Sequence, residues 1–162
     1  MPRPAVTPSP ATDGDLDAEL TVALHGRGHR VTLARLLVHR HVRRREGHLT
    51  PEGIHAELAP DLPSLSPATI YATLDLLDAL GFVRRVSTPR GGTMYDPRTD
   101  GHHHAICRSC GRVHDVDAEI DTSSAERAAA ASGFAVDHGE LQLSGLCAAC
   151  ASQLAASPST AT

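Results

Sequence analysis

Ten residues, HHHAICRSCG at positions 102–111, hold three histidines and two cysteines. A second C-x-x-C, Cys147 and Cys150, follows after 36 intervening residues. Two such pairs can supply four thiolates in tetrahedral geometry, because the tight turn inside each pair brings its sulfurs together. Cys107, Cys110, Cys147 and Cys150 are therefore expected to hold one structural Zn²⁺. The alternative is a redox role, but a redox C-x-x-C usually opens a helix after a strand, and two pairs would be odd. Strand parity separates the histidines from the thiolates. If residues 102–107 are extended, His102 and His104 face one way while His103 and Cys107 face the other. A second metal site then needs further ligands from elsewhere in the chain. Candidates are His48, ahead of a helix, Asp96, at the end of a strand, and Asp115, on the strand after the first C-x-x-C turn. Imidazole and carboxylate without thiolate favour Fe²⁺ or Mn²⁺, though imidazole also takes Zn²⁺. The alternative for His102 and His104 is a solvated histidine-rich turn, and His48 and Asp96 taken singly read as surface residues.

These side chains need a scaffold, and 162 residues with 2% aromatics and no Trp must build it from Leu, Val, Ile and Ala. A metal staple suits so light a core. No window reaches the roughly 18 apolar residues of a membrane span, and the start MPRPAVTPSPATDGD lacks a signal-peptide core, so a cytoplasmic protein with reduced cysteines is expected. The net charge of −4 is unevenly spread: residues 25–92 carry ten Arg against six acids, residues 93–162 four Arg against nine. A basic half preceding an acidic, ligand-rich half suggests division of labour.

Residues 1–14 and 155–162 read as disordered tails. Leu16, Leu20 and Leu24 share one helical stripe. Thr32 caps a second helix with Leu33, Leu36, Leu37 and Val42 inward, leaving Arg35, Arg40, Arg43 and Arg44 for solvent or phosphate. Thr50-Pro51 starts a third helix, and Ser66-Pro67 a fourth with Ile70, Leu74, Leu77 and Leu80 inward and Gly81 as its stop. FVRRVST and GTMYDP then form a hairpin across PRGG. Helices followed by a hairpin make a winged helix-turn-helix over residues 15–97. A hinge near 97–101 leads to a small α/β domain, residues 98–154, of strand, strand, helix, strand. The class is α+β.

The arginine-rich run at 43–45, with Arg27, Arg30 and Arg35, suits a phosphate backbone when set beside such a motif. On the fourth helix Ser66, Thr69, Tyr71 and Thr73 are polar groups suited to base edges and phosphates.

Over residues 15–152 the chain resembles the ferric uptake regulator (Fur) family, through GHRVTLARLLV, SPATIYATLDLLDALGFVRR, HHHAICRSCGRV and LSGLCAAC in family order and spacing. The resemblance implies a homodimeric repressor binding a double-stranded DNA operator, a Cys₄ structural zinc and a regulatory metal bridging the domains. It places the regulatory ligands at His48, Asp96, His102, His104 and Asp115, and Arg30 near the minor groove. The ligand set looks most like the peroxide-sensing PerR branch and the actinobacterial FurA and CatR group, in which Fe²⁺ and H₂O₂ lead to oxidation of ligand histidines, here His48 and His102. Ordinary iron or manganese sensing uses much of the same set. Two positions depart from the family pattern. Ala72 follows Tyr71 where Arg or Asn is common, and Gly139, beside His138, stands where a further metal site needs His. An enzyme reading would make the His/Asp set a catalytic centre, but five ligands leave little room for a small-molecule substrate, and no nucleophile or cofactor motif is present. A zinc-stabilised interaction module would leave the winged-helix pattern idle.

Overall fold

The computed structural model describes residues 11–89, 92–136 and 139–156. It divides into two compact units, one running to Arg85 with Tyr95–Pro97 added, the other comprising Val86–Met94 and the chain from Arg98 onward. Among the described residues no helix is long and apolar enough to cross a membrane.

In the first unit, Thr12 caps helix α1 (Asp13–Gly26) through a reciprocal box with Asp15, so order begins inside the stretch expected to be a tail. Residues 1–10 and 157–162 of the expected tails lie outside the described residues. Thr32, Thr50 and Ser66 cap α2 (Leu33–Arg43), α3 (Pro51–Leu58) and α4 (Pro67–Ala79) as their side chains dictate. The buried stripes meet in one core of Leu20, Leu24, Val38, Val42, Ile54, Leu65, Ile70, Leu74, Leu77, Val83 and Tyr95. Leu33 is a correction: it is 60% exposed, and His39 takes an inward position on α2 instead. Thr73 is a second correction. The spacing Ile70, Thr73, Leu74, Leu77 puts it on the inner stripe, where it is 2% exposed and out of reach of a nucleic acid.

Strands β1 (Arg84–Ser87) and β2 (Thr93–Asp96) form a two-stranded sheet. The turn expected at PRGG includes Arg90 and Gly91, which lie outside the described residues. In the second unit β3 (His103–Cys107) is central, antiparallel to β4 (Val113–Val116) and parallel to β5 (Gln142–Gly145). Helix α5 (Ser123–Ala131) ends before Gly133, whose φ of 86° gives the left-handed stop. A helix not expected from the sequence, α6 (Ala148–Ala156), follows, so Ala155 and Ala156 are helical where a tail was expected to begin.

Candidate functional site

Cys107 ends β3, Cys110 closes the turn into β4, Cys147 follows β5, and Cys150 rides the first turn of α6, where the Ala151 N–H donates to the Cys147 carbonyl. The ladder thus carries both pairs to one end of the sheet. Their four sulfurs lie within 4.8 Å of one another. Cys110 and Cys147 Sγ are 3.8 Å apart, which is the separation of roughly 3.8 Å required by a tetrahedron with metal–sulfur bonds of ~2.3 Å. The Cys147 N–H donates to Cys107 Sγ at 3.3 Å, and this with the Cys110 N–H brings the Cys107 thiol down to about 5. Cys150 goes up to about 11: the Ser109 hydroxyl lowers it, but the neighbouring Cys147 and Cys110 thiols outweigh that. Four thiols so close need a cation before all of them can ionise, and the donor set fits Zn²⁺.

At the other end of β3 the register places His104 opposite Asp115 on β4. His102 and His104 share a face, as parity requires, and their Nε2 atoms stand 3.1 Å apart. His102 Nδ1 donates to the Asp100 carbonyl at 2.9 Å, and His104 Nδ1 donates to the Glu140 carboxylate at 2.6 Å. Both partners are acceptors, so the ring protons sit on the Nδ1 atoms and the two Nε2 lone pairs converge on one point. Asp115 Oδ1 is 3.9 Å from His102 Nε2, while its Oδ2 accepts from Arg98 at 3.2 Å. Arg98 also bonds Asp100 and Asp117. Two lone pairs and a carboxylate oxygen aimed together, with the outer nitrogens tied down, are what a cation with N and O ligands asks for. Arg98 and Glu140 lie in no motif, and only the folded chain brings them to Asp115 and His104.

In the first unit His48 Nε2 and Asp96 Oδ2 are 3.6 Å apart, with side chains 4% and 1% exposed. The pairing follows from backbone hydrogen bonds between Leu49 and Tyr95, 2.8 Å each way, which set 48 beside 96. Tyr95 is buried and donates to Asp75 on α4 at 2.8 Å, fixing the strand end that carries Asp96. The third set suggested by position 139 does not assemble among the described residues. Gly139 abuts Thr122, His103 Nδ1 accepts from the Leu141 N–H, and His138 lies outside the described residues.

On α4, Tyr71 is exposed and its hydroxyl donates to Glu52 of α3, while Ser66 and Thr69 hydroxyls bond each other at 2.9 Å. Arg30 is exposed, and its carbonyl accepts from Arg35. Several expected phosphate contacts are instead engaged with acids: Arg40 with Asp17 and Asp13, Arg44 with Asp13, and Arg45 with Glu57.

Residues 26–144 match the sequence model of the ferric uptake regulator family. Ferric uptake regulation protein 1 of Mycolicibacterium fortuitum is 34% identical over 76% of this chain and 76% of its own length. The peroxide-responsive repressor PerR of Staphylococcus aureus is 29% identical over 82% of this chain and 89% of its own. Among solved structures, a zinc uptake regulator complexed with zinc and DNA superposes with a TM-score of 0.61 at 29% identity, covering 90% of this chain and 99% of that one.

Proposed function

This chain belongs to the ferric uptake regulator family, and from that premise we propose that it is a homodimeric, metal-dependent DNA-binding transcriptional repressor and not an enzyme. Cys107, Cys110, Cys147 and Cys150 hold the structural Zn²⁺. The regulatory Fe²⁺ or Mn²⁺ takes His48, Asp96, His102, His104 and Asp115. The observation that carries this reading is the facing Nε2 pair of His102 and His104, each ring locked from behind. The donor set, imidazole and carboxylate without thiolate, favours Fe²⁺ or Mn²⁺, though imidazole also takes Zn²⁺.

Arg30, Ser66, Thr69 and Tyr71 form the proposed DNA face, with α4 as the recognition helix. Similarity to a regulator solved in complex with DNA supports DNA as the partner. Phe134, Val136, Leu141 and Leu143 are exposed in the second unit, and β5 is an edge strand, which suits a partner protomer. A regulatory ion that binds the operator-competent dimer more tightly than the other states raises operator affinity by the same factor.

Peroxide sensing is the finer reading, supported by three histidines and two aspartates without a thiolate and by the similarity to PerR. Bound Fe²⁺ supplies the redox chemistry that activates H₂O₂. The ring of His48 or His102 takes up one oxygen atom, H₂O₂ leaves as water, and the altered ring is a poorer ligand. Similarity to ferric uptake regulation protein 1 favours the alternative, an iron- or manganese-responsive repressor that ignores peroxide. Operator retardation with Fe²⁺ and with Mn²⁺, each before and after micromolar peroxide, decides between them. The peroxide reading expects loss of binding and one added oxygen on His48 or His102 with Fe²⁺ only. Iron-dependent binding that survives peroxide leaves the metal regulator, and binding indifferent to both metals removes the regulator itself.

A further inference from the structure

Glu140 belongs to no motif and sits between α5 and β5, 36 positions from His104. Its Oε1 nevertheless lies 2.6 Å from His104 Nδ1, at the short end for a charge-assisted hydrogen bond. The neighbouring residue pins the same stretch of chain to β3. The Leu141 carbonyl accepts from the His104 N–H at 3.1 Å, and the Leu141 N–H donates to His103 Nδ1 at 3.2 Å. Three hydrogen bonds therefore hold the carboxylate against the ring.

The two facing imidazoles are locked by different means. His102 leans on the Asp100 backbone carbonyl, which any residue at that position would supply. His104 leans on a side chain, and that contact exists only because residue 140 carries a side-chain oxygen that can accept it.

We propose that Glu140 is a positioning residue for the regulatory ion, keeping the His104 proton on Nδ1 and its Nε2 lone pair turned toward His102. The proposal rests on the reading of His104 as a ligand. Without the carboxylate the ring is released to rotate and to populate the Nε2–H tautomer, which presents a proton where the ion needs a lone pair.

The test uses the full chain with its zinc loaded and Mn²⁺ as the probe. Free Mn²⁺ is followed by electron paramagnetic resonance, and ¹⁵N-histidine spectra report the His104 tautomer before Mn²⁺ is added. Glu140→Ala is expected to weaken Mn²⁺ binding about 10–100-fold while zinc content stays unchanged. Glu140→Gln should retain most of the affinity, because its amide oxygen still accepts from Nδ1–H. His104 should show a single Nδ1–H form in the wild type and in Glu140→Gln, and a mixture in Glu140→Ala. If Glu140→Ala binds Mn²⁺ as tightly as wild type while His104→Ala does not, the positioning role is overturned. If His104→Ala itself binds like wild type, the ligand assignment beneath it fails instead. Should the alanine variant lose its fold, the wild-type spectrum decides, because His104 protonated on Nε2 contradicts the proposal directly.

Discussion

His39 is fully buried on α2, edge-on to Phe82 with ring centroids 4.7 Å apart. Burial pushes its pKa below the ordinary 6.5; Glu19, 3.9 Å away but solvent-exposed, pulls upward, and Arg43 adds to the lowering. The folded ring therefore stays neutral where the unfolded chain takes up a proton. Its contribution to stability is complete above about pH 6.5 and is lost as pH falls through the depressed folded value. His39→Leu should flatten the dependence of unfolding free energy on pH below about 6.5, as read by urea titrations of the zinc-loaded chain. An unchanged slope would move the effect to His41, whose pKa burial and Arg45 also lower. At this scale the cysteines and the His102–His104 pair were legible from spacing and parity. Glu140 was not, because its partner is distant in sequence and a lone acid in a loop carries no signal. Thr73 was misread because a hydroxyl was weighed above the helical stripe on which it falls.

Helix beginnings were legible because a hydroxyl at the cap position is a local device: Thr32, Thr50 and Ser66 each accept from the backbone N–H three residues on. The end of α4 was equally plain, since Gly81 adopts φ 80°. Gly81→Ala isolates that requirement, because an added Cβ meets no atom within 4 Å and the cost is conformational. A loss of roughly 1–2 kcal/mol in unfolding free energy is expected, with recovery in Gly81→Asn, which tolerates the left-handed region better. A loss well below that range would mean the helix end relaxes into another turn. Helix α6 was missed for the opposite reason. AACASQLAA has neither a strong apolar period nor a capping signal, and none of its described residues is buried. It is visible only once Cys147 and Cys150 must converge on the same point as Cys107 and Cys110.

For the molecule as a whole, the two-part division of charge and ligands was legible, whereas the pairing of the basic run with acids was not. Asp13, Asp17 and Glu57 occupy Arg40, Arg44 and Arg45, and such pairs arise from helix packing that a charge count does not contain. Stability of the second unit should depend on zinc, because among the described residues its sheet has three short strands and α5 and α6 bury no residue fully. Cys110→Ser is expected to lose the zinc, melt at lower temperature and dimerise more weakly, by metal analysis, calorimetry and sedimentation. Full zinc content with unchanged melting would exclude the Cys₄ assignment. β3 is one five-residue strand with a thiolate at one end and imidazoles at the other. A slip of one position along β4 or β5 would turn every imidazole to the opposite face. Zinc at the Cys107 end would oppose that slip, so the two metals are expected to load in order. Zinc would then act as assembly licence and the regulatory ion as signal, and copies made without zinc should fail to answer the regulatory metal even where that metal is plentiful.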